Sequence, residues 1–434
     1  MNITYNRRQI LKLAGAGMGA VALASCAPSG TGSNPTSSKA GTAVAGASPQ
    51  PFAFASWSLN ESASKPVIQG LMDSYAAKKK IKVTGVSYPY TGYLDQMILQ
   101  IRGGQFSGAA QVDIAWLSAF ASLGKLRDLG PVAQGRDYTP SALASGQYQG
   151  KQFGLPWTTG AIGLIANKEL LGRAGITKAP TTIKEFESAL TDLKGLGGGV
   201  IPYAAMTKVA QLKDMLVWMQ TFGCSLLEGD KVTIGDDASV EAMTWYKSLY
   251  DKGLIAPDVD RTDARALFGQ GKAAIYDDAI VGKGAVLKSS SYPDLASKLE
   301  PLARPVLNEG DRPRAQLWGH VVVVVDGEAA DTATDFAQWL TSDEATTLGY
   351  FKALSLPPTT QKALKSPTVT QDAFTTAFGE RITTTATPDP FWRFPQYAQM
   401  ESVIAEKVQG VLVGKASPAD AMKAAGKSVQ ALIG

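Results

Sequence analysis

Phe52-Ala-Phe-Ala-Ser-Trp57, Ile81-Lys-Val-Thr-Gly-Val-Ser-Tyr88 and Val112-Asp-Ile-Ala-Trp116 are three short apolar runs separated by stretches of a different period. Each has the length and the β-branched or aromatic content of a strand. Between the first two, residues 62–77 place Ile68, Leu71, Met72 and Tyr75 on one helical face. Between the second and third, residues 92–102 do the same with Tyr93, Met97, Ile98 and Ile101. The pattern is βαβαβ, which predicts a parallel sheet whose carboxyl-end loops face a ligand. The same grammar continues downstream. Thr182-Ile-Lys-Glu185 and Thr341-Ser-Asp-Glu344 read as capping boxes opening apolar-periodic helices, and 273–276 and 321–325 read as strands between such helices.

A chain of 434 residues is too long for one ordinary core and favours two domains. Hydrophobic residues make up 45%, charged residues 18%, and the mean hydropathy is −0.03. These values exclude a disordered chain and a polytopic membrane protein. The formal net charge is +4, but Arg7, Arg8 and Lys12 lie in an acid-free leader, and without them it falls to +1. A neutral partner fits this balance better than nucleic acid.

The leader reads as an export signal. Asn6-Arg-Arg-Gln-Ile-Leu-Lys12 is followed by an apolar run from Leu13 to Ala24, which is too short to span a bilayer. The run ends in Leu23-Ala-Ser-Cys26, similar to a lipobox, so residues 1–25 are expected to be removed and Cys26 lipidated. The twin arginines resemble a Tat signal without its preferred flanking residues, and Sec export stays open. Residues 26–50 are rich in Ser, Thr, Gly, Ala and Pro, with one charge, Lys39. They read as a flexible tether reaching roughly 25–30 Å. Lipidation of Cys26 leaves Cys224 unpaired, a small core residue beside apolar neighbours.

The motifs as a set resemble the family 1 extracellular solute-binding proteins of bacterial ABC importers, whose best-known members bind maltose and other oligosaccharides. Ile81-Lys-Val83 with Tyr88 and Tyr93, Val112-Asp-Ile-Ala-Trp-Leu117 and Gly150-Lys-Gln-Phe-Gly-Leu-Pro-Trp157 carry the resemblance. So do Asn167-Lys-Glu-Leu170, Ala174-Gly-Ile176, Phe268-Gly-Gln-Gly-Lys-Ala-Ala274, Trp318-Gly-His320 and Leu356-Pro-Pro358. It implies an α/β, type II-like periplasmic-binding-protein fold of two lobes, each a sheet flanked by helices. The lobes expected are 51–157 with 319–357, and 158–318 with 358–434. Three hinge crossings are expected near 156–160, 317–321 and 355–360. Ligand is held between the lobes, which close by hinge bending. The implied partners are a small saccharide, permease subunits and, through them, an ATPase. The protein is expected to be a monomer, without a cofactor, metal or nucleic acid.

A pyranose has apolar C–H faces and a rim of hydroxyls, so its pocket needs flat aromatic surfaces and fixed polar groups. Trp218, Trp245 and Trp339 lie in helical stretches and read as core. Trp57, Trp116, Trp157, Trp318 and Trp392 lie at expected strand ends or in loops and read as ligand-facing. Asn60 and Glu61 open a helix, where Asn60 equally suits a capping role. Tyr88 closes the second strand, and Asp277 and Asp278 follow another, where relatives carry polar cleft residues. Gly319 and His320 stand at the second crossing, where His320 suits a structural role as well as ligand contact. Many relatives have a stacking Trp where this chain has Ala279-Ile-Val281, a departure from the maltose binders.

Enzymatic function is disfavoured. A single histidine excludes a His-based metal cluster or relay, no G-x-S-x-G is present, and Gly426-Lys-Ser428 lacks the earlier glycine of a phosphate loop. The adjacent carboxylates of Asp277 and Asp278 point apart, unlike a glycosidase pair. Other solutes remain as rivals: a polyol, glycerol phosphate, a peptide or a uronate. Anionic ligands need cleft cations, and the nearest expected were Lys283 and Arg393.

Overall fold

The computed structural model describes residues 48–209, 212 and 214–434. The expected leader, Cys26 and most of the tether lie outside them. The last expected tether residue, Gln50, is bonded through its backbone N–H to Thr332 Oγ1 at 2.9 Å.

The opening follows the expected βαβαβ order: β1 (Phe52–Ala55), α1 (Lys65–Lys79), β2 (Val83–Val86), α2 (Tyr90–Arg102) and β3 (Gly108–Asp113). α1 buries Ile68, Met72 and Tyr75, and α2 buries Tyr93, Met97 and Ile101, the spacing that puts one stripe on the sheet. β1 ends earlier than expected because Ser56 accepts the Ser58 N–H and caps a 3₁₀ turn, Trp57–Asn60. β3 ends at Asp113 for the same reason, its carboxylate capping the turn Ile114–Trp116. The strand expected at 112–116 is therefore shifted towards the N-terminus.

The sheet continues with β4 (Gly154–Asn167), β5 (Ile201–Ala204), β6 (Ala273–Ala279), β7 (Leu299–Leu302), β8 (Ala315–Val325) and β9 (Ala386–Thr387). Its order is β2-β1-β3-β8-β4-β6-β5, with β7 on β4 and β9 on β8. β1 is parallel to β2 and β3, as expected, but β8 runs antiparallel to β3 and β4, and β4 antiparallel to β6. The sheet is mixed because β4 and β8 are long strands that serve both of its halves. β8 pairs β3 only from His320 to Val325, and β4 pairs β6 only between Ile162 and Ala166. The two lie side by side through the intervening residues, with a register shift between His320 and Val321. Residues 355–360 run alongside: Thr158 Oγ1 donates to Pro357 O at 2.9 Å and Thr359 Oγ1 to Pro156 O at 2.6 Å. The three segments expected as crossings are thus adjacent.

Helices flank the sheet. Thr182 and Glu185 form the expected capping box. At 341–344 the reading needs correction. Thr341 ends one helix (Ala330–Ser342), and Asp343, accepting the Thr346 N–H, caps the next (Glu344–Leu354). Gly426 lies inside a C-terminal helix (Pro418–Ile433), where an added Cβ would meet Ile234 O at 1.9 Å, so that glycine serves close packing. Cys224 is buried, which pushes its thiol up to about 11. Among the described residues no helix is long and apolar enough to cross a membrane.

Candidate functional site

A cleft of about 380 Å³ opens where β1, β3, β6 and β8 deliver their loops and ends. Trp57, Ser58, Glu61 and Ser64 come from the turn after β1, and Tyr90 from the start of α2. Asp113 ends β3, Asp278 and Ala279 end β6, and Trp318 and His320 sit on the shared part of β8. Asp260, Arg261, Thr262 and Arg265 come from the start of a helix, Arg261–Gly269, and Tyr350 and Leu356 close another side.

The aromatic rings form one connected group. Trp57 packs edge-on against Tyr90, Tyr93, Trp116 and His320 with centroids 4.8–5.7 Å apart, and His320 lies 4.6 Å from Trp318. Tyr350 stacks on Trp157 at 4.7 Å and 15°.

The cleft cations are already engaged. Arg265 grips Asp278 with two bonds, 2.7 and 2.9 Å, and Arg261 reaches both oxygens of Asp214 at 3.0 and 2.9 Å. Burial nominally lowers an arginine's pKa, but the surrounding carboxylates hold both guanidiniums charged. Glu61 stands across from Arg265. Although Glu61 is exposed as a residue, the desolvation of its carboxyl in the cleft raises its pKa from the ordinary value, opposed by the Ser64 hydroxyl at 3.1 Å and by the Arg265 charge. Tyr90 donates its hydroxyl to Asp113 at 3.0 Å.

Of the residues singled out in the sequence, Trp57, Glu61, Asp278, Trp318 and His320 line this cleft. The others stand elsewhere. Trp116 packs against Trp57 and Tyr90 without lining the cleft, and Trp157 is fully buried and stacked on Tyr350. Asp277 points to the opposite face from Asp278 and is fully buried against Arg304 at 2.5 Å and the Tyr203 hydroxyl. Both carboxylates lie within β6, because the strand continues to Ala279. Asn60 is exposed and bonds Ser87 Oγ at 2.5 Å. Tyr88 and Trp392 are half-buried against the larger core. Gly319 contributes close strand packing, since a Cβ there would lie 2.6 Å from Thr158 O. Trp157 and Trp318 lie inside strands, not in loops. Trp218 and Trp245 are core as expected, and Trp339 is half-buried at the edge of the second core.

Sequence reasoning missed Tyr90, Tyr350 and the two arginines. Lys283 and Arg393 pair instead with Asp372 and Asp230 and do not line the cleft. The arginines had a signal: Asp260 and Asp263 form a capping box, and Arg261 and Arg265, four apart, share the helix face that follows.

A profile described as bacterial extracellular solute-binding protein matches residues 70–376. A Brucella abortus (strain 2308) protein whose name calls it a binding protein is 26% identical over 196 residues, 43% of this chain; the match spans 47% of that relative's length. Among solved structures, the GacH receptor of Streptomyces glaucescens, studied unliganded and with acarbose, superposes with a TM-score of 0.79. It is 22% identical, covering 89% of this chain and 98% of that one. T. maritima MalE3 with maltose scores 0.79 at 20% identity over 88% of this chain and 100% of its own. The Thermus thermophilus maltotriose binding protein scores 0.73 at 18% over 89% and 100%. At these identities the likeness establishes the fold, that of the periplasmic binding proteins.

Proposed function

The chain belongs to the bacterial extracellular solute-binding proteins, and from that premise we propose that it captures a neutral sugar or oligosaccharide between two lobes. It acts by binding, outside the cytoplasm, and hands the sugar to the permease of an ABC importer driven by its ATPase. The observation that carries this reading is the lining of one cleft by Trp57, Tyr90, Trp318 and Tyr350 together with Glu61, Asp113 and Asp278. Rings offer faces to sugar C–H groups, and carboxylates accept from hydroxyls. The saccharides held by the neighbours of like fold agree with it. An anionic solute such as glycerol phosphate or a uronate fits less well, because both cleft guanidiniums already serve carboxylates. A polyol shares the hydroxyls but lacks the ring faces.

In this reading 51–157 with 319–357 form one lobe and 158–318 with 358–434 the other. β4, β8 and residues 355–360 flex between them. Cys26 carries a lipid that anchors the protein to the membrane after Tat or Sec export, and the protein works as a monomer. Native mass spectrometry of protein purified without added ligand tests the reading. A bound mass equal to one or more hexose units is expected, and a phosphorylated, uronic or peptidic ligand would overturn it.

A further inference from the structure

His320 is the only histidine of the chain, and it sits where β8 passes between the halves of the sheet, directly before the register shift. Its strand neighbours are Asp113 on β3 and Thr158 on β4. The ring is held edge-on between indoles, Trp57 at 4.8 Å and 90° and Trp318 at 4.6 Å and 66°. Its Nδ1 lies 3.0 Å from Nε2 of Gln111, a fully buried residue of β3.

The other end of Gln111 decides which way its amide points. Oε1 accepts from Ser56 Oγ at 2.5 Å and from Ser58 Oγ at 3.2 Å, and Ser56 Oγ in turn accepts the Ser58 N–H. Ser56 is fully buried, and Oε1 is the one acceptor its hydroxyl proton reaches among the described residues, so turning the amide would strand that proton. Oε1 therefore faces Ser56, and the NH2 end, which can only donate, faces the imidazole. A histidine whose Nδ1 accepts carries its proton on Nε2. Burial keeps the ring neutral, its pKa lowered to about 4 against the opposing charge of Asp113. No described residue bonds Nε2, and the ring lines the cleft.

We infer that Gln111, oriented by Ser56 and Ser58, fixes His320 as a neutral Nε2–H donor facing the cleft, so that the bound molecule presents a hydrogen-bond acceptor there. Gln111 is then a positioning residue, acting through His320. The acceptor's identity as a sugar hydroxyl, ring oxygen or glycosidic oxygen rests on the saccharide reading; the tautomer does not. An ammonium at this position would set donor against donor, so the arrangement selects against a basic amine.

With one histidine, ¹⁵N spectra of tag-free, imidazole-labelled protein contain one imidazole. At pH 7 they should show a bare Nδ1 and a protonated Nε2 whose resonance moves on adding maltotriose. An Nδ1–H tautomer or an imidazolium overturns the inference. Gln111→Glu replaces the donor with an acceptor and should shift the proton to Nδ1, weakening maltotriose binding about tenfold. His320→Leu should lose a similar factor. His320→Gln, whose amide nitrogen can replace Nε2, should bind within about threefold of wild type. Equal losses in the Leu and Gln variants, with both folded, overturn the donor role. If wild type fails to bind maltotriose, the sugar identified by native mass spectrometry replaces it in the same titrations, and the spectra decide the tautomer in either case.

Discussion

Trp157 and Trp318 show how two indoles on paired strands take different work. Trp318 is half-exposed on the cleft, and Trp157 is fully buried and stacked on Tyr350. Trp318→Ala should therefore cost on the order of 2 kcal/mol of saccharide binding, about thirtyfold, by titration calorimetry. Trp157→Ala should instead cost about 3–5 kcal/mol of stability in urea unfolding, through the cavity it leaves. The reverse pattern would exchange their roles. His320 makes a second residue-scale expectation. Its folded pKa of about 4 lies below the reference 6.5, so below pH 6.5 the unfolded chain binds a proton that the folded chain refuses. Stability from this group is complete above pH 6.5 and is lost as pH falls to about 4, on the order of 3 kcal/mol in all. His320→Gln should flatten that part of the profile, with the carboxylates contributing to both proteins alike. Parallel urea profiles for the two proteins from pH 7 to pH 4 would contradict the buried, neutral ring.

The elements that matter most are β4 and β8, because each belongs to both halves of the sheet and their closeness is set by missing side chains. A Cβ at Gly319 would lie 2.6 Å from Thr158 O, and one at Gly154 would lie 2.6 Å from Val321 Cβ. Neither contact can be relieved by a flexible side-chain tip. Gly319→Ala should force the strands apart at the step between His320 and Val321, costing about 1–3 kcal/mol in urea unfolding. It should also weaken saccharide binding, because Trp318 and His320 flank the site. An alanine variant as stable as wild type would show that the strands separate freely there. The helix carrying Arg261 and Arg265 is an element of the opposite kind. Its capping box was readable from Asp260 and Asp263, but which wall its arginines reach was not.

On the scale of the whole molecule, the proposed action is closure, and two measurements bear on it. Adding the saccharide found by mass spectrometry should reduce the radius of gyration in solution scattering and perturb Trp fluorescence. Affinity should change less than about threefold between low and high salt, because few ion pairs form with a neutral ligand. A tenfold loss would indicate an anionic one. Cys26→Ser should move the protein from the membrane to the soluble fraction, and unchanged retention would refute the lipid anchor. What the sequence by itself determined is the local order. Helical periods at 62–77 and 92–102 and the capping box at Thr182 and Glu185 depend on neighbours close along the chain, whereas the meeting of the segments near 156, 319 and 357 was implied only by the family resemblance. Only the tertiary structure decided which residues share the cleft. Whether Trp157 or Trp318 faces ligand depends on what β4 and β8 pack against, and whether Arg265 is free depends on Asp278, thirteen residues away. That Gln111 orients His320, 209 residues on, rests on strand register, which no local pattern records.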